Sequence, residues 1–347
     1  MARSADGKDN NGKTNGKFKL GERYEKALSY PLFDSIFNRR SRRFGLGMKL
    51  EDPTLGFESK YDPVPLEEME EALLVWSGTG LTGLCLADLP PETGIDLLCQ
   101  WTGRTWPSAC NNHGTALFFE PGLFDFNQWN TNKPGTSVFI PVTDVTEEYI
   151  NLLHLYCSNS YGFTIIDDMT GKPAGVDKWI KKGRLKDSVK LSLFDLETRI
   201  LTGLNVEQAF ICQNMSLALQ ALGLAGWTFS GFIPRFALGG APQLFKGLGF
   251  RFIQPKKGTI DPPTTVPVGK DGIFQAYCPP YYKDMNEAID AFHEHKESAW
   301  KPEKPFPYAE PDKHLMRAPR PTETTIQIVK DVANYIYDTY GRFPAFV

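Results

Sequence analysis

Apolar residues recur at helical spacing from Tyr24 to Phe37, through Leu28, Leu32 and Ile36, and predict a helix that runs into a basic turn. A second helix is predicted over Pro63 to Trp76. Proline and acidic residues mark its start, and Leu66, Met69, Leu73 and Trp76 share one face. Glycine and proline then interrupt the pattern from Gly78 to Trp106. Short apolar runs at 115–119 and 137–142 read as buried strands. Helical spacing returns over 143–157 and 187–203, on either side of a polar connection at 170–184. The most apolar helix is expected from Val206 to Leu222, with Gly223 as its C-cap. A strand at 250–253, a helix at 285–295 and a final amphipathic helix at 323–339 complete the pattern. Residues 299–322, rich in proline and charge, read as a surface excursion. There is no internal repeat.

At 347 residues and 41% hydrophobic content, the chain is long enough to bury a substantial core. The expected organisation is a polar tail over 1–20, then one domain over 21–347 with insertions near 78–106, 167–190 and 258–322. A net charge of −3 argues against general polyanion binding, which requires clustered cations, so no nucleic-acid partner is expected. The six cysteines are scattered without a CxxC pair, which fits reduced thiols in a cytoplasmic setting. The first twenty residues lack the apolar run of a secretory signal, and no stretch is apolar enough to suggest a membrane span.

Several motifs invite chemistry. Gly78-Thr79-Gly80-Leu81-Thr82-Gly83 matches GxGxxG letter for letter. The dinucleotide fold needs a strand before it, whereas a helix pattern precedes this one, so a helix-ending loop is the better reading. His293-Glu294-His295 puts two histidines on different sides of a helix and predicts a solvated face rather than a metal site. His113, His154 and His314 lack companions at ligand spacing, and no serine sits in a G-x-S-x-G elbow. The cluster Arg39-Arg40-Ser41-Arg42-Arg43 offers donors suited to a phosphate and to ligand carbonyls; taken alone, a solvated charge run is the favoured reading.

Four segments in order change that balance. Arg39 to Phe44 after an amphipathic helix resembles the R-x-S-x-R/K flavin signature of the nitroreductases. Pro107-Ser108-Ala109-Cys110-Asn111-Asn112-His113 resembles their P-S-x-x-N-x-Q segment, which lies against the flavin from the partner subunit. Asn130-Thr131-Asn132-Lys133 resembles their N-x-x-K element at the pyrimidine edge. Ala221 to Leu224 with Thr228 to Phe232, including Ser230 and Gly231, resembles the stretch whose backbone approaches flavin N5.

The resemblance spans most of residues 25–255. It implies an α+β fold, a three-layer α/β/α sandwich with a mixed, mainly antiparallel sheet, in an interwoven homodimer with FMN at the interface and C-terminal segments wrapping the partner. The site residues it implies are Arg39, Arg40, Ser41, Arg43, Pro107, Ser108, Asn111, His113, Asn130, Lys133, Ser230 and Gly231. Arg43 and Lys133 would stabilise reduced flavin, with NADH or NADPH as electron donor and an unidentified small molecule as acceptor. No side chain reads as an acid or base. Trp106, Phe124, Phe126 and Trp129 are candidate pocket walls or core. The chain departs from the pattern at Ser77-Gly78-Thr79-Gly80, where the family has A-P-S, and in about two dozen extra residues before Pro107. Lys256 and Lys257 are candidates for the family's phosphate-gripping pair, or a solvated pair. Rival readings are a flavin-sequestering or flavin-cleaving protein of the same fold, a dinucleotide dehydrogenase using Gly78 to Gly83, and a scaffold that has lost FMN.

Overall fold

The computed structural model describes residues 21–42, 45–84, 102–108, 113–121, 136–231, 233–244, 246–258, 260–298 and 321–347. The expected polar tail, Arg43, Asn111, Asn130, Lys133, Phe124, Phe126, Trp129, His314 and the 299–320 excursion lie outside them.

The first predicted helix is two: α1 (Glu22–Leu28) and α2 (Leu32–Asn38), separated by Ser29-Tyr30-Pro31. Pro31 is the N-cap of α2, in an extended conformation that periodicity alone does not reveal. Strands β1 (Lys49–Leu50) and β2 (Phe57–Glu58) pair before α3 (Glu68–Thr79). That helix starts later than its proline-marked lead suggested, because Glu67 and Glu70 form a reciprocal capping box at its N-terminus. Strand β3 (Leu81–Leu84) follows α3 directly and pairs with β4 (Thr102–Arg104). Glycines 78 to 83 therefore lie between a helix and a strand in the order opposite to a dinucleotide fold, as expected of a helix end.

Strands β5 (Thr115–Pro121) and β6 (Ser137–Thr143) pair antiparallel in register. Phe118 faces Ile140 and packs with Ala237, Leu248 and Phe250. Leu117 and Phe139 turn to the opposite side and pack against Leu74, Ile211 and Met215. Both faces are covered, which explains why the two strands read as continuous apolar runs rather than alternating ones.

Next come α4 (Val145–Cys157), β7 (Phe163–Asp167), β8 (Lys172–Pro173), α5 (Asp177–Lys181) and β9 (Lys186–Ser192). β9 lies parallel to β7, so residues 187–192 are strand, not the start of a helix. The remaining helical pattern and the apolar segment beyond it are one element, α6 (Leu193–Leu222). Gly203 passes through it without a break. Ser192 accepts from the Asp195 N–H to start α6, and Gly223 ends it in the left-handed region at φ 71. At thirty residues, α6 is about 45 Å long.

The chain closes with α7 (Pro234–Leu238), the antiparallel set β10 (Arg251–Ile253), β11 (Val266–Lys270) and β12 (Phe274–Gln275), then α8 (Met285–Ser298) and α9 (Glu323–Tyr340). The fold is α+β, with strands in five small sheets of two or three among the described residues. One core gathers α4, α8, α9 and the first third of α6 around the fully buried Tyr149, Leu153, Ile200 and Phe292. A second lies between α3, the later half of α6 and β5–β6. Gly78 permits that approach, since a Cβ there would meet Met215 at 3.0 Å. The described C-terminal residues 321–347 pack on their own chain: Glu197 in the first turns of α6 accepts the N–H groups of Ala345 and Phe346, each at 2.8 Å.

Candidate functional site

The basic cluster leaves α2 in an extended conformation, with Arg39 as the helix C-cap. The Arg42 N–H donates to the Gly226 carbonyl at 3.1 Å, an antiparallel bridge that ties this segment to the turn after α6. The Arg42 guanidinium reaches Gln220 Oε1 at 2.9 Å, and Ser35 donates to the Leu217 carbonyl, seating α2 on the end of α6. Arg39, Arg40 and Ser41 are exposed. Arg40 donates to the carbonyls of Phe37 and Arg39, so its side chain folds back over the helix end. Ser230 and Gly231 are also exposed, a few residues beyond Gly226. The first and fourth segments singled out in the sequence therefore meet at the C-terminal end of α6.

A groove of about 590 Å³ opens beside this junction, lined by α1, Arg42 and residues 220–223. Of its cations, Arg23 is paired with Glu70 and Lys26 with Glu22. Arg42 donates instead to a neutral amide, Gln220, and among the described residues no carboxylate is paired with it.

Pro107 and Ser108 lie elsewhere on α6. Trp106 is core rather than pocket wall: it is 1% exposed, with the Arg104 guanidinium 5.3 Å above its ring and the His113 ring edge-on at 5.1 Å. His113 adopts φ 52, a left-handed conformation uncommon for a residue with a Cβ. Asn214 donates to the Thr105 carbonyl at 2.7 Å. Glu207, about two turns earlier on the same face, takes hydrogen bonds from the hydroxyls of Ser108 and Thr115, with the Trp106 indole beside it. Burial raises the Glu207 carboxyl above its usual range; the hydrogen bonds oppose that rise and Glu147 adds to it. Thr115 continues to Thr143 at 2.7 Å, which also receives Gln208 at 2.8 Å.

Glu207, Gln208 and Asn214 did not emerge from the sequence. Their signal was present as three polar residues interrupting the most apolar helix. The structure thus ties the basic segment, through Arg42, to Gln220 and Gly226 at the end of α6, and places Ser108 and His113 separately, beside the middle of that helix.

Lys256 and Lys257 serve α9. Both N–H groups donate to the Tyr340 carbonyl, and the Lys256 ammonium reaches the Asp338 carbonyl at 3.1 Å, satisfying the end of that helix. His293 is not on a solvated face: it is buried, with its Nε2 3.0 Å from Nε2 of His154. His154 Nδ1 lies 2.7 Å from the Ile150 carbonyl, so it carries the proton there and His293 donates across the pair. Burial and the facing His293 hold His154 down at about 3, a neutral ring in the folded protein. Among the described residues, no group of three or more metal-ligating side chains comes together, and no helix is long and apolar enough to cross a membrane. Cys157, Cys212 and Cys278 are free thiols.

No family model matches the chain, and no curated protein or solved structure matches it either.

Proposed function

We propose that this chain is a cytoplasmic, FMN-dependent NAD(P)H oxidoreductase of the nitroreductase kind, acting as a homodimer with a layered α/β/α core. The observation that carries this reading is the Arg42–Gly226 bridge. It ties the exposed, cationic Arg39-Arg40-Ser41 stretch to the turn that leads into Ser230 and Gly231, two segments nearly two hundred residues apart that both resemble flavin-contacting motifs. The residue types fit the group: guanidiniums suit a phosphate and an electron-rich ring edge, and at Gly231, where a Cβ would meet the Phe229 ring at 2.8 Å, the lack of a side chain keeps the backbone approachable.

When bound, FMN supplies the redox chemistry by accepting a hydride equivalent from a nicotinamide and passing electrons on. The protein's share is binding and orientation. Arg39 and Arg40 would hold negative charge, the Arg42 peptide fixes their segment, and the peptides of Ser230 and Gly231 would offer donors to the ring.

The dimer is supported by uncovered apolar surface. Phe33 and Phe37 stack on α2 at 6.0 Å yet stay 67% and 71% exposed. Trp76 on α3 and Phe210 on α6 are also exposed. A stacked aromatic pair left this exposed asks for a partner. A second copy also accounts for the separate placement of Ser108: in a flavin site shared between subunits, Pro107-Ser108 serves the partner's flavin.

The visible spectrum of the purified protein, before and after anaerobic NADPH or NADH, tests the proposal. Flavin bands that bleach on addition are the expected result. Persistent bands favour the second reading, a flavin-sequestering or flavin-cleaving protein of the same fold. A colourless protein that rejects added FMN overturns both.

A further inference from the structure

We infer that Glu207 is a positioning residue for the ligand site: its carboxyl orients the Ser108 hydroxyl, and through it sets whether that segment offers a bound flavin a donor or an acceptor. The inference rests on the flavin reading.

Glu207 sits in the middle of an otherwise apolar helix face and is 5% exposed. A buried acid of this kind usually carries a cation. Here the charged group that faces it from α4 is another acid, Glu147, which is itself paired with Lys296 at 2.7 Å. Arg104 stands over the Trp106 ring, and His113 meets the same ring edge-on. The groups directed at the carboxyl are neutral donors: the hydroxyls of Ser108 and Thr115 and the Trp106 indole. For packing alone a neutral amide would serve.

The distinction between acid and amide lies in what it does to Ser108. An ionised carboxyl only accepts, so the Ser108 hydrogen is committed to Glu207 and the serine oxygen is left to accept from a ligand N–H. A protonated carboxyl donates to Ser108, which releases the hydroxyl hydrogen toward a ligand carbonyl. A flavin ring presents both kinds of group along one edge. Glu207 touches no ligand in this arrangement; it acts through Ser108.

The test is FMN binding to the full-length protein, followed by flavin fluorescence and the position of the visible bands from pH 5 to 8. Glu207→Gln, Ser108→Ala and the double variant are compared with wild type, and Glu207→Ala is the harsher control. At pH 8, Glu207→Gln and Ser108→Ala are each expected to weaken binding about tenfold, the worth of one charge-assisted hydrogen bond. Both should remove one ionisation from the pH profile. The double variant should bind no more weakly than either single one, while the urea midpoint of Glu207→Gln stays near wild type. Wild-type affinity and pH profile in Glu207→Gln would overturn the inference, as would losses that add in the double variant. A wild-type protein that binds no FMN at any pH sinks the flavin reading and this inference with it, and that failure is visible before any variant is made.

Discussion

Replacing Glu197 by glutamine should make the protein more stable at alkaline pH and less stable at acid pH. Glu197 is 1% exposed and holds the tail at 345–346 through two N–H groups. Burial pushes its carboxyl up to about 7 from an ordinary 4.5; the N–H groups of Phe346 and Ala345 and the Arg342 guanidinium pull the other way without prevailing. A carboxyl whose folded-state pKa is raised contributes stability that is fully present below its unfolded value and is lost as pH climbs through the folded one. The rise amounts to about 3 kcal/mol, lost between roughly pH 4.5 and just above 7. Glutamine does not titrate. At pH 5 it should cost about 1 kcal/mol, because its amide N–H₂ meets one of the backbone donors. By pH 8.5 the wild type has lost its share, and the variant should lead by about 2 kcal/mol. Urea unfolding followed by far-UV circular dichroism, in steps from pH 5 to 8.5, reads the difference directly. Two parallel stability curves would refute the claim that burial dominates at Glu197. A variant that falls further behind as pH rises would show instead that the two N–H bonds to the anion outweigh its desolvation.

His154 titrates with the opposite sign. Its folded-state value, held near 3 against an ordinary 6.5, means that stability present above pH 6.5 is lost as pH falls toward 3, so His154→Gln should flatten the acid limb of the same curve. Phe292, fully buried between α4, α8 and α9, should cost about 3–5 kcal/mol when cut to alanine, read from the urea midpoint. Changing Phe33 and Phe37 together to aspartate should turn a dimer into monomers in sedimentation velocity while leaving the circular dichroism spectrum intact; an unchanged sedimentation coefficient would remove α2 from the interface. Arg39→Ala with Arg40→Ala should weaken FMN binding at least about tenfold without moving the thermal midpoint, since both side chains are exposed.

The helices were the most legible part of the fold. Their apolar stripes and cap residues located α3, α4, α8 and α9 to within a few residues, and Gly223 ended α6 where its left-handed geometry was needed. What failed to show was continuity and class at junctions. Pro31 split one apparent helix into α1 and α2, because spacing persists across a break that the backbone does not. Residues 187–192 carry both periods, and only the parallel pairing with β7 decides for strand. At the site, Arg39 to Ser41 and Ser230-Gly231 were singled out by residue type, and the Arg42–Gly226 bridge beside them is a tertiary fact. Glu207 and the His154–His293 pair were missed for the same reason. A buried polar group looks like any other until its partner, supplied by a distant element, is in place.

The docking of Ala345 and Phe346 on Glu197 spans 148 and 149 residues of chain. A ribosome makes the first turns of α6 well before the segment that covers them. In that interval the Glu197 carboxylate stands open to solvent and to chaperones, and the long loop must close before the contact can repay its entropy. Assembly of this end of α6 therefore follows synthesis of residues 345–346, and a chain that stops short of them leaves the buried Glu197 without its two N–H partners.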